Sequence, residues 1–152
     1  MHIPDLSECR YHKGPFDSRN WSVPLLAVGW LESPVPFERG PTPPELVARL
    51  TTLVEQAHRI SFFLGIMSCS LCRAEGLRSP GPVWSQENLF VPGSNVVYIA
   101  PGGIVHYVES HSYLPPREFV EAIGRCPDPE TPEYWQALRK ANADVQPPLR
   151  PH

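Results

Sequence analysis

Cys69-Ser70-Leu71-Cys72 constrains the fold more than any other stretch, because whatever holds two thiols three positions apart also fixes the chain around them. Only 4 Cys occur in 152 residues. Four readings compete for the pair: a disulfide, a redox couple, half of a metal site, or two core thiols. The opening "MHIPDLSECRYHKGPFDSRNW" has no apolar core of signal-peptide length, and no segment approaches a transmembrane span. The expected setting is therefore cytoplasmic and reducing, which argues against a structural disulfide. A redox Cys-x-x-Cys should open a helix after a strand. "CSLCRAEGLRSPGP" is read instead as a turn leading into a Gly/Pro loop that runs to about Val83.

A half-site needs its other half, and "HYVESH" supplies it. Cys69 and Cys72 with His106 and His111 give C-x2-C-x33-H-x4-H, two thiolates and two imidazoles. That is a complete tetrahedral donor set for one structural zinc. Each residue alone is better explained as an ordinary core or hydrogen-bonded group; the combination is what points to a metal. One geometric objection stands against it. Residues five apart on a regular helix lie about 140° apart around the axis, so the two histidines should not share a face. A helix that ends at the second histidine relieves this, and Ser110, Ser112 and Pro115-Pro116 favour an end near His111. The remaining cysteines, Cys9 and Cys126, and the histidines His2, His12, His58 and His152 have no partner spacing that singles them out.

The rest of the chain is divided by 20 Pro, where ordinary usage of roughly 5% would give about 8. They fall between apolar segments and act as loop punctuation and helix starts. "VPLLAVGWLE" predicts a buried strand near residues 25–31, fenced by Pro24 and Pro34. From Thr42, a capping box with Pro43, Pro44 and Glu45 opens a helix of about four turns. Its apolar face is Leu46, Val47, Leu50, Leu53, Val54 and Ala57. "QENLFVPGSNVVYIA" predicts a β-hairpin, with strands near 87–91 and 95–100 around Pro92-Gly93-Ser94. Short helices follow over 102–111, from Pro115-Pro116 to a stop at Gly124, and, with Thr131 as cap and Pro132 in the first turn, through "TPEYWQALRKANA". The expected fold is α+β: a small antiparallel sheet or hairpin with several helices around a zinc knuckle. The order of knuckle, hairpin and ligand-bearing helix resembles that of treble-clef-like zinc modules. Residues 1–145 are read as one compact domain and 146–152 as a frayed tail.

The chain as a whole resembles an uncharacterised family of small bacterial proteins. The resemblance rests on "IPDLSECRYH" at 3–12, "LAVGWLE" at 26–32, "PVPFERG" at 34–40, the CSLC stretch, and "VYIAPGGIVHYVESHSYLPPREFVEAI" at 97–123. It implies that Cys69, Cys72, His106 and His111 work as a set. Two departures are Met67, where many relatives have His, and Val35-Pro36-Phe37, where they have His-Pro-Phe. The family carries no activity to transfer.

Function is constrained mainly by exclusion. With 13 Lys+Arg against 16 Asp+Glu the net charge is -3, and no basic run suggests a nucleic-acid backbone as the main partner. No HExxH, Gly-x-Ser-x-Gly or phosphate-binding loop occurs. An HNH-type nuclease would need polar, metal-facing residues on a hairpin that is almost wholly apolar here. The leading expectation is a non-enzymatic, zinc-stabilised module that binds another protein, of the immunity or antitoxin kind, with Trp30, Phe37, Trp84, Tyr113 and Trp135 as candidate anchors. One alternative is a metal-dependent hydrolase or nuclease with an open zinc position and Glu109 or Asp17 as base. A second is a nucleic-acid-binding zinc adaptor, which needs Arg117, Arg125, Arg139, Lys140 and Arg150 on one face.

Overall fold

The computed structural model describes residues 2–9, 21–57, 66–76, 83–85, 88–143 and 145. In chain order the elements are β1 (Leu25–Ala27), α1 (Pro44–Ala57), β2 (Ile66–Ser68), α2 (Ser70–Ala74) and β3 (Val83–Ser85), then β4 (Asn88–Pro92), β5 (Val97–Pro101), α3 (Ile104–His111), α4 (Arg117–Arg125) and α5 (Pro132–Arg139). This is α+β, with helices gathered around small sheets. The tail from 146 onward, Trp84's side chain, Met67's side chain, Asp17, Arg150, His12, His58 and His152 lie outside the described residues.

The predicted hairpin is present, with Asn88 opposite Pro101 and Pro92 opposite Val97. β1 then adds to its other side in parallel, Leu25 beside Val97 and Ala27 beside Ile99, so the sheet is mixed, in the order β1-β5-β4. β5 is its central strand and is buried at every residue. An unbroken apolar run such as Val97-Tyr98-Ile99-Ala100 suits a strand covered on both faces. β1 is shorter than its apolar segment. Beyond Ala27 only Val28 continues the ladder, donating to Ile99 O at 3.0 Å, before Gly29 turns the chain with φ 80°. β2 and β3 form a separate antiparallel pair.

α1 buries Leu46, Leu50, Leu53, Val54 and Ala57 of the predicted stripe, with Val47 only partly buried, and packs against α3, α4 and β4. At its centre Leu50, Leu53, Ile99, Ile104, Phe119 and Ile123 are almost wholly withdrawn from water. Burial of side chains this size contributes roughly 1.5–3 kcal/mol each before entropy is counted. Two details of the helices differ from expectation. Gly124 does not stop α4, which runs on to Arg125; an added Cβ there would meet nothing within 4 Å, so the glycine weakens an exposed position without ending the helix. Thr131 precedes α5 but does not cap it. Its hydroxyl turns back and donates to Asp128 O at 2.7 Å.

The motifs that carry the family resemblance are joined to one another in space. Asp5 Oδ1 accepts from Gly29 N at 3.0 Å, and its Oδ2 accepts from the Tyr113 hydroxyl at 2.8 Å. Trp30 donates through Nε1 to Ile99 O, and its own carbonyl accepts from Ile3 N. Tyr113, fully buried, thereby links the opening segment to the loop that follows α3. Tyr113 follows closely on α3, the helix that carries both histidines.

Candidate metal centre

The sulfur pair sits where a strand becomes a helix, contrary to the plain turn expected from sequence. β2 ends at Ser68, Cys69 takes the N-cap position of α2, and Cys72 lies inside that helix. Cys69 Sγ accepts from Cys72 N at 3.4 Å, so sulfur here does what a serine or aspartate oxygen usually does at a helix start. The five-residue α2 is too short to persist by propensity alone. It is tied down by Leu71 and Cys72, which are buried, and by Ser70 Oγ accepting from Ser33 N at 3.0 Å.

α3 delivers the imidazoles. It ends at His111, as the sequence suggested, with Ser112 in the left-handed conformation at φ 55°. The predicted divergence of His106 and His111 is resolved by the position of Cys72, whose Sγ lies 3.3 Å from Nε2 of each. The two rings sit edge to face with centroids 5.0 Å apart. Cys69 Sγ is 3.4 Å from His111 Nε2, and all four donor atoms lie within 4.8 Å of one another. In a tetrahedron with zinc–sulfur and zinc–nitrogen bonds of ordinary length, a sulfur and a nitrogen stand about 3.5 Å apart. The observed separations therefore fit the edges of such a polyhedron. These four residues could hold a metal ion, and the donor chemistry of two thiolates and two imidazoles suits zinc.

Burial sharpens this. Cys69, Cys72 and His111 are 1%, 4% and 3% exposed, and only His106 reaches the surface edge. Burial, with the neighbouring Cys69 and the Glu75 charge, pushes the Cys72 thiol up. Burial and the facing His111 push the His106 imidazole down, with Glu109 and Glu75 opposing. A neutral imidazole is already in ligating form, while a buried thiol is deprotonated once a cation supplies the missing positive charge.

Glu75 is the residue that sequence reasoning missed. Its Oε1 lies 3.2 Å from His111 Nδ1. An ionised carboxylate only accepts, so Nδ1 carries the proton and Nε2 presents its lone pair to the two sulfurs. Carboxylate behind imidazole is the usual support of a metal-ligating histidine. A local signal exists, since Glu75 follows Cys72 by three positions, neighbours on a helix, whereas the Gly/Pro content of the segment points to a loop. Arg39 was missed as well. Its Nη1 donates to His111 O at 3.4 Å while its guanidinium stacks over Phe37 at 4.5 Å. Glu109, the candidate base, is exposed on α3. Cys9 and Cys126 are buried apart from the cluster and, like all four cysteines, unpaired by disulfide.

Among the described residues no helix is long and apolar enough to cross a membrane. No curated protein and no solved structure matches the chain. The motif-bearing part of the chain, with all four donor residues inside it, is matched over residues 1–124 by the family model described as a domain of unknown function (DUF7919), and the chain belongs to that family.

Proposed function

We propose that this chain is a non-enzymatic protein-binding module whose fold is fastened by one structural zinc at Cys69, Cys72, His106 and His111. The observation that carries the reading is the convergence of four strong donors from α2 and α3 within 4.8 Å. Four protein ligands fill a tetrahedral zinc, whereas a catalytic zinc keeps one position for water. The strand-to-helix setting of CSLC is also that of a redox pair; two imidazoles within 3.4 Å of the sulfurs favour the metal. Hydrolase chemistry has less support, because Glu109 is exposed on α3 and Glu75 is engaged by His111. The nucleic-acid reading has less support too: Arg117 pairs with Glu121, and Arg139 donates to Val145 O.

The partner is another protein, and an immunity or antitoxin role in a bacterial cytoplasm fits a small chain with a net charge of -3. Of the aromatic anchors suggested by sequence, Tyr113 and Trp135 are core residues and Trp30 is bound to the sheet, which leaves Phe37, partly buried against the core, as the remaining described candidate anchor. Metal analysis of protein purified without chelator, with melts of wild type and Cys72→Ser, tests the reading. One zinc per chain and a large loss of stability in the variant are expected. A metal-free protein whose variant melts like a modest core substitution would overturn it.

A further inference from the structure

A cleft of about 370 Å³ opens between the Ser33–Phe37 loop and α2. That is at the small end of the range for sites that take small molecules or short chain segments. Its apolar wall is Pro34, Val35, Pro36 and Phe37 on the loop with Leu71 and Ala74 on the helix. Val35, 37% exposed, is one of few large apolar side chains left in water among the described residues. The Ser33–Ser70 hydrogen bond joins the two walls, so the cleft belongs to the same unit as the sulfur ligands.

Two charged groups line it, Arg39 and Glu75. They do not pair with each other. Both bind His111 instead, Arg39 at its carbonyl and Glu75 at its ring. Arg39 is spread over the Phe37 face and has no carboxylate partner among the described residues. A guanidinium fixed by stacking beside an apolar wall is preorganised to take a carboxylate. Glu75, with one oxygen committed to His111, retains an acceptor for an N–H.

We propose that this cleft binds an acylated α-amino acid end: a carboxylate on Arg39, an apolar side chain against Val35, Phe37 and Leu71, and the adjoining N–H toward Glu75. The C-terminal residue of a peptide and a free N-acyl amino acid share this chemistry. The inference rests on the metal-stabilised reading, since α2 and His111 set the positions of both charges.

Titration calorimetry on protein whose zinc content is measured in the same sample tests it. The probes are N-acetyl-leucine and the peptide Ser-Gly-Ser-Leu-Leu, each with a free carboxylate and as its amide. Binding of the acids, with a tenfold or greater loss for the amides, is expected. Arg39→Gln should lose binding to the same degree. Val35→Glu, at an exposed position that is not among the four donors, should do so with zinc content and melting unchanged. A peptide that binds more tightly than N-acetyl-leucine identifies a protein C-terminus as the source, and equal affinities identify a free acid. Zinc-loaded protein that binds neither acid, or binds acids and amides equally, overturns the proposal. Absence of zinc is read from the metal analysis and counts against the earlier reading alone.

Discussion

Glu75 and His111 are joined across 36 positions of sequence by a 3.2 Å contact from carboxylate oxygen to ring nitrogen, with the histidine 2% and the glutamate 50% exposed at the side chain. This asymmetry matters. The buried ring is held in one tautomer by a group that itself remains in contact with water, so the support can be removed without opening a cavity.

Glu75→Ala should therefore separate metal affinity from packing. Support of this kind is typically worth 10–100-fold in metal affinity. Competition with a chromophoric chelator should show zinc binding weakened by about that factor, while the zinc-saturated variant retains the wild-type circular dichroism spectrum. Unchanged affinity would mean that Glu75 is a bystander on the surface.

Gly29→Ala should destabilise the fold by an amount larger than its single methyl suggests. The backbone there has φ 80°, and an added Cβ would stand 2.9 Å from Ile104 Cδ1 and 3.0 Å from its Cγ1. Ile104 is fully buried at the start of α3, so it has little room to retreat. Left-handed strain and overpacking each cost about 1–3 kcal/mol. Chemical denaturation should show a loss in that range or above it. The displaced α3 should also lower zinc affinity, because it carries His106 and His111.

How much of this could be read from the chain depends on the range of the interaction. α1 and the β4–β5 hairpin were legible because periodicity and turn chemistry are local. The gathering of Cys69, Cys72, His106 and His111 was legible because the spacing of a ligand set is a strong constraint on residue type. The parallel pairing of β1 with β5 was not legible, since Leu25 and Val97 are brought together only by the folded core. Thr131 and Gly124 show the opposite failure. Each carries a local helix signal, and each is overruled by a neighbour: a carbonyl of Asp128 for the first, open solvent for the second. Glu75 and Arg39 escaped notice because their roles exist only relative to His111.

Stability should fall on the alkaline side. Burial pushes the Cys126 thiol up to about 12, with Asp128 adding to the effect and Arg49 opposing it, against 9.0 when unfolded. Between those values the unfolded chain has released a proton that the folded chain keeps. Folding is therefore favoured fully below about pH 9 and progressively less toward pH 12. Tyr134 and Tyr113, also raised by burial, act in the same direction from about pH 10 upward. Cys126→Ala removes one such group. Denaturation free energies measured from pH 8 to 11 should decline less steeply in that variant than in wild type; equal slopes would show that the thiol titrates as freely folded as unfolded.

The Tyr113–Asp5 hydrogen bond should prove to be a fold contact that is energetically independent of the metal. The phenol is fully buried and donates at 2.8 Å to a carboxylate that also accepts from Gly29 N. Hydrogen bonds to charged groups contribute about 1.5–3 kcal/mol. Tyr113→Phe keeps the ring, including its edge-to-face contact with Phe37, and removes only the donor. A loss of about that size is expected in urea denaturation. Asp5→Asn should cost less once Tyr113 is already Phe, so a double-mutant cycle should return a coupling above about 0.5 kcal/mol. Repeated with excess chelator, the cycle should give the same coupling, even though both baselines fall. A coupling that vanishes without metal would instead make the opening segment part of the structure that zinc assembles.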